Sequence, residues 1–314
     1  MNRTTPHAVD ARAGGLMALL CLVWSLQQVS LKAAAPQVSP MLMVALRSGI
    51  ALALLMLLMW RRGEVPRRER WLPGVVAGAL FALEYLLVSQ ALRLTQAAHV
   101  VIFLYTAPLF AALGLHLRVP AERLSGPQWA GLTLAFAGIA LAFLGGQRGA
   151  AAGALTGDLL ALAGGAAWGA TTLTLRGTAL AAAPATETLL YQLLGAFVLL
   201  LPAAALSGQW QFDASPQAWA HLGFQSLVVS FASFLAWCWL LGRYRAAQLG
   251  SFAFLTPLFG VLLGAGLLGE RLEAGFLAGS ALVVAGIAQV SRPGARAPGV
   301  LSGPARPSRR KSST

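Results

Sequence analysis

The sequence predicts an all-α integral membrane protein whose ten transmembrane helices form two inverted five-helix repeats. Three observations predict this. The chain is 57% hydrophobic and 11% charged, against roughly 25% charged in a typical soluble domain. Apolar runs of about 20 residues recur along it, each long enough to cross some 30 Å of hydrocarbon as helix, and a helix satisfies the backbone polar groups that lipid cannot. The chain also repeats itself. Thr106-Ala107-Pro108-Leu109-Phe110, Glu122-Arg123-Leu124, Gly131 and Ala137-Gly138-Ile139-Ala140 return about 148 residues later as Thr256-Pro257-Leu258-Phe259, Glu270-Arg271-Leu272, Gly279 and Ala285-Gly286-Ile287-Ala288. Each copy holds five spans, an odd number, so the copies sit upside down relative to one another.

The expected first half, 14–145, follows a short N-terminal tail, 1–13. Its spans are 14–34, 40–60, 72–92, 97–116 and 127–145. Arg3 and Arg12 precede an apolar run that ends in Ala33-Ala34-Ala35, a pattern shared with signal peptides. Cleavage there would leave the first half one span short, so the run is read as a retained helix. It carries Trp24, Gln28 and, near its end, Lys32. In the second span Arg47 lies about seven residues from the outer end. Glu84 lies near the middle of the third, beside Tyr85. The fourth carries Tyr105 and Pro108, and Glu122-Arg123 follow it. Gly131 and Gly138 in the fifth allow close helix approach and are read as scaffold.

After a linker, 146–156, the second half, 157–291, repeats the plan with spans 157–176, 185–205, 218–241, 246–268 and 274–291. Trp168 is followed eight residues later by Arg176, as Trp24 is by Lys32. Tyr191 and Gln192 lie in the seventh span, Trp237 in the eighth and Pro257 in the ninth. Glu270-Arg271 follow the ninth, and Gly279 and Gly286 lie in the tenth. The segment 292–314, rich in Pro, Gly, Ser and Arg, has too few apolar residues to fold and is expected to be a solvated basic tail.

Lysine and arginine set the orientation, because basic loops stay cytoplasmic. With the N-terminus inside, Arg61, Arg62, Arg67, Arg68, Arg70, Arg118, Arg123, Arg243, Arg245 and the tail share the cytoplasmic side. Only Lys32, Arg93, Arg148 and Arg271 fall on or near the other. Both termini are then cytoplasmic, in a multi-pass protein of the bacterial inner membrane. The same bias explains the net charge of +13 without nucleic acid.

Catalytic chemistry has no visible constellation. The loops are too short for a lid or a nucleotide-binding module, and no Gly-rich phosphate loop or nucleophile elbow occurs. His99, His116 and His221 are too dispersed to predict a metal site. Cys21 and Cys238 fall inside spans as small packing residues. No cofactor is expected.

The charged, aromatic and kinked positions are the functional candidates. A charge near the bilayer centre costs at least about 2.5–3.5 kcal/mol and must face protein or water. Glu84 therefore carries a coupling proton, reads a substrate amine, or forms a permanent ion pair with Arg47. Lys32 and Arg176, at opposite faces, either snorkel to headgroups or line the two mouths of a pathway. Trp24, Gln28, Arg47, Glu84, Tyr85, Tyr105, Trp168, Tyr191, Gln192 and Trp237 are the candidate lining of a solute site, whereas Trp60, Trp71 and Trp219 near span ends fit interfacial anchors. Pro108 and Pro257 each remove a helix hydrogen bond and are expected to kink equivalent spans, as pivots or as static bends. Glu122-Arg123 and Glu270-Arg271 are expected to cap the helices that follow them, or to pair across the loop in one transport state.

These residues, in this order and twice over, resemble the drug/metabolite transporter superfamily, specifically the EamA-type permeases. The likeness rests on Trp24, Lys32, Pro40, Arg47, Pro108 and Glu122-Arg123-Leu124 in the first half. In the second it rests on Gly157-Asp158, Trp168, Arg176, Pro257 and Glu270-Arg271-Leu272. The sequence departs from the family pattern after the first Trp, where Ser25 and Gln27-Gln28 replace Gly and small polar residues, while Gly169 is kept in the second copy. The resemblance implies gradient-driven alternating access for small metabolites, amino acids or drugs, with export favoured. The expected partners are a small polar or amphipathic solute and the lipid bilayer, and homodimerisation stays open. A membrane-embedded solute-binding sensor or assembly subunit without net transport is the alternative.

Overall fold

The computed structural model describes residues 7–95, 97–144, 154–268 and 274–292. Among them every regular element is a helix. Eight helical runs are long and apolar enough to cross a membrane, and a shorter apolar helix, Gly275–Ser291, follows them.

The helices are α1 Ala11–Ala34, α2 Pro40–Arg61, α3 Trp71–Leu94, α4 Ala97–Leu104, α5 Ala107–Arg118 and α6 Gly126–Leu144 in the first half. The second contributes α7 Ala154–Gly177, α8 Ala185–Leu206, α9 Pro216–Gly223, α10 Phe234–Leu241, α11 Ala246–Phe252, α12 Leu255–Leu268 and α13 Ala274–Ser291. Local chemistry sets many of the ends. Asp10 caps α1 by accepting the Ala13 N–H, and Ser215 caps α9 by accepting that of Ala218. Helices α2 and α8, second in their halves, end alike. Gly63 and Gly208 both take positive φ, and the next residue's N–H returns to Met59 O or Ala204 O, the closure that only an unhindered residue makes cheaply.

Three spans depart from the expectation of continuous helix. The fourth breaks between α4 and α5, and the ninth between α11 and α12. Pro108 is the second residue of α5 and Pro257 the third of α12. A proline there sits among N–H groups that need no helical acceptor, so the expected mid-helix kinks are helix starts. The eighth span is interrupted by a π-helical stretch, Phe224–Ser233, between α9 and α10. Such a stretch inserts residues without ending the helix, and here it buries Gln225, Ser226, Ser230 and Ser233. At the chain's start, residues 11–13, expected as tail, belong to α1. His7 bonds through its backbone to Arg243 and Arg245, and Val9 N–H donates to Gln248 Oε1. The linker beyond residue 153 belongs to α7; Glu270-Arg271, Arg148 and the basic tail lie outside the described residues.

The two halves hold each other through α6 and α13. A Cβ on Gly138 would stand 2.6 Å from Gly279 O, and one on Gly286 2.5 Å from Gly131 O. Both are inside any tolerable contact, so these backbones touch and the glycines are structural. We expect Gly286→Val to force the pair apart and cost about 1–3 kcal/mol or more. Thermal unfolding in detergent, followed by size-exclusion fluorescence, checks this, with a lowered midpoint as the outcome.

Candidate solute cavity and the closed end

Helices from both halves surround one cavity of about 540 Å3, a size suited to a single small organic molecule. Its deep part is aromatic. Trp24 on α1 meets Trp237 on α10 edge to face at 5.7 Å, and Tyr105 meets Trp168 on α7 in the same way at 5.6 Å. Trp24 and Trp168 are the equivalent tryptophans of the repeat. Trp24 Nε1 is committed to Ser233 Oγ, 3.1 Å away at the end of the π-helical stretch, which fixes the ring.

The structure places Trp24, Gln28, Glu84, Tyr85, Tyr105, Trp168, Gln192 and Trp237 on the cavity wall. Arg47 and Tyr191 are elsewhere. Arg47 is 1% exposed; its Nη1 donates to Gln225 Oε1 at 2.5 Å and its Nη2 to the Tyr85 hydroxyl at 2.9 Å. Gln225 in turn donates to Gln27 O on α1. The arginine thus stands behind Tyr85 and ties α2, α3 and the π-helical stretch to α1. The Tyr191 ring packs against Gly74 and its carbonyl against Gly78, on the flank of α3.

The wall also includes Gln27, Phe81, Thr171, Thr172, Phe234 and Thr256, which sequence reasoning missed. Helical spacing would have found several of them. Phe81 precedes Tyr85 by four residues, and Thr171 and Thr172 follow Trp168 by three and four, so each shares a face with a candidate already named.

Glu84 makes no hydrogen bond or ion pair among the described residues. Glu84 and Arg47 make no direct ion pair, although Arg47 is near enough to act on the carboxylate electrostatically, and Glu84 lines the cavity. The other spanning or flanking acids are engaged. Glu187 pairs with Arg70 at 2.6 Å, both side chains almost fully buried. Asp158 accepts from Thr95 Oγ1 at 2.7 Å and lies 3.2 Å from His99 Nδ1.

The cavity is asymmetric along the bundle. It reaches the surface among Leu92, Arg93 and Ser207, all exposed, at the end where α3 and α8 finish. At the opposite end, which carries the N-terminal segment, four elements are locked together. Arg176, from the last turn of α7, donates through Nε and Nη2 to Glu122 Oε1 at 3.0 and 2.6 Å, and through Nη1 to Leu241 O at 2.7 Å. The second Glu122 oxygen accepts the Ala246 N–H at the start of α11. Glu122 was expected to cap its own following helix; it caps α11 of the other half instead. The turn before α6 is closed by Gln128, whose Oε1 accepts from Ser125. Arg176 is thus part of a sealed end, and Lys32 is exposed at the open one without lining the cavity.

Comparison with known proteins adds to this geometry. A model of the EamA-like transporter family matches residues 12–144 and again 155–292. The chain belongs to the EamA-like transporter family. An uncharacterized transporter of Archaeoglobus fulgidus is 26% identical over 87% of the chain and 94% of its own length. An uncharacterized protein of Pseudomonas aeruginosa is 31% identical over 78% of the chain and 81% of its own length. A Salmonella typhimurium relative, described as a probable amino-acid metabolite efflux pump, is 26% identical over 88% of the chain and 94% of its own length. A solved crystal structure superposes with a TM-score of 0.73 at 24% identity over 88% of the chain and 94% of its own, which shows a shared fold. Membership puts this EamA-like protein in the drug/metabolite transporter superfamily, among multi-pass transporters rather than enzymes.

Breaking a buried pair strands the partner charge, at about 3–5 kcal/mol. We expect Glu122→Gln and Arg176→Gln each to lower the thermal midpoint in detergent, and the double variant to regain part of the loss. Additive single effects in that cycle would show that the two side chains act independently.

Proposed function

We propose that this EamA-like transporter is a secondary-active carrier, working by alternating access as an exporter of small metabolites, amino acids or drugs. In this reading the chain crosses the bilayer ten times. The broken α4–α5 and α11–α12 runs each count as one crossing, as does the α9–α10 run with its π-helical stretch, and α7 and α13 complete the number. The closed, N-terminal end faces the cytoplasm, because the arginines of its loops resist translocation. Both termini are then cytoplasmic in a bacterial inner membrane.

One observation carries the proposal: a cavity between the halves is open at one end and sealed at the other by the Glu122–Arg176 pair and its backbone partners. A carrier needs a midplane site that meets one side at a time, and this geometry corresponds to the outward-facing state. The return to an inward-facing state requires the sealed end to part. The breaks before Pro108 and Pro257 stand where equivalent helices of the two halves could hinge. Solute contact is assigned to Trp24, Gln28, Glu84, Tyr85, Tyr105, Trp168, Gln192 and Trp237. Arg47 and Tyr191 are assigned support of that wall.

Counterflow into proteoliposomes, using purified protein and a panel of labelled amino acids and small amines, tests the reading. The expected result is saturable accumulation of one solute class that depends on the same solute held inside. Specific binding without accumulation of any bound solute would instead support a membrane sensor.

A further inference from the structure

The cavity holds a carboxylate, Glu84, that no hydrogen bond or ion pair among the described residues engages, while the buried Arg47 acts on it only from a distance. Glu64, Glu122, Glu187 and Asp158 each have a side-chain partner, whereas Glu84 on the wall has none among the described residues. A carboxylate in a wall that is mostly apolar gains strongly from any cation delivered to it. The nature of the solute follows from which other charges it would meet.

Arg47 does not serve a solute's carboxylate. It is buried behind Tyr85 and off the cavity wall; its two terminal nitrogens donate to Gln225 and Tyr85, and its Nε, without a partner among the described residues, is buried with them. Arg93 shares the cavity but lies nine residues further along α3, about 13 Å of helical rise from Glu84, at the exposed rim. An α-amino acid, whose ammonium and carboxylate are borne on one carbon, cannot span both. The Trp24 indole N–H is also taken, by Ser233. The cavity wall instead carries the rings of Trp24, Phe81, Tyr105, Trp168 and Trp237, beside the uncharged side chains of Gln27, Gln28, Thr171, Thr172, Gln192 and Thr256. Such rings attract ammonium groups and cover an apolar body.

We propose that this cavity selects a monovalent organic cation, an amine whose ammonium meets Glu84 and whose aromatic or bulky apolar body lies among the rings. This rests on the carrier reading of the same cavity and narrows it: zwitterionic amino acids and anions are discriminated against. Position decides the discrimination: Glu84 stands on the cavity wall, whereas Arg47 is buried off that wall and Arg93 lies at the exposed rim.

Three probes of matched shape test the inference on the full chain reconstituted in nanodiscs and in proteoliposomes: 2-phenylethylamine, phenylalanine and 3-phenylpropionate. The expected result is saturable binding of phenylethylamine, with the other two weaker by about 10- to 100-fold, the equivalent of one charge-assisted hydrogen bond. Glu84→Gln should remove that preference and Glu84→Asp should keep part of it. The comparison of probes on the unaltered protein needs no variant, so it stands if a variant folds poorly. Equal or tighter binding of phenylalanine or phenylpropionate overturns the inference, as does an unchanged preference in a folded Glu84→Gln protein. Counterflow separates the two levels. If phenylalanine is carried and phenylethylamine is not, the solute class is wrong and the carrier reading survives. If phenylethylamine binds through Glu84 and none of the three accumulates, the cation preference survives and the carrier reading falls.

Discussion

Charges inside an apolar bundle must find partners within the protein, and the rest of the structure is arranged around that requirement. Arg70 meets Glu187, Arg176 meets Glu122, and Arg47 is received by Gln225 and Tyr85. Each of these contacts joins elements distant in sequence, so satisfying the charge also fixes the relative placement of helices. Glu84 has no such contact among the described residues, and it lies where the helices leave space. The places where charge is satisfied are the joints between helices, and Glu84 faces the cavity.

The division between scaffold and working parts follows the repeat. Helices α6 and α13 touch backbone to backbone through their glycines, a contact with little room to slide. The spans around the cavity are less regular. The fourth and ninth are broken just before their prolines, and the eighth carries a π-helical stretch that turns Ser233 toward Trp24. Irregular backbone inside a membrane protein is tolerated where protein or a cavity covers it, and these irregularities border the cavity. The Glu122–Arg176 lock shows how a sealed end is built: one carboxylate accepts from a guanidinium of one element and from the first N–H of another.

Much of this was legible in the chain. The repeat and the apolar runs gave the order of the helices to within a few residues, because lipid imposes length and composition on every span. The equivalence of Trp24 and Trp168 placed both tryptophans in the cavity, since related positions of an inverted repeat meet at its centre. Depth along a helix, however, does not tell which face a residue occupies. Tyr191 and Gln192 are adjacent, about 100° apart around the axis, so Gln192 reaches the cavity while Tyr191 turns to α3. Arg47 has neighbours on the wall, yet its long side chain reaches back to Gln225, a partner 178 positions away that no local pattern announces. The pairing of Glu122 with Arg176 was hidden for the same reason, and the π-helical stretch left no signal in composition.

The central claim is that one cavity alternates between two ends, sealed at one whenever it is open at the other. Distances between spin labels in the reconstituted protein test it most directly, with one pair across the open rim at Leu92 and Ser207 and another across the sealed end at Arg118 and Arg243, all exposed positions. A transported solute is predicted to shift the populations reciprocally, shortening the first distance as the second lengthens. Two distance distributions that stay fixed while a carried solute saturates the cavity would contradict the account.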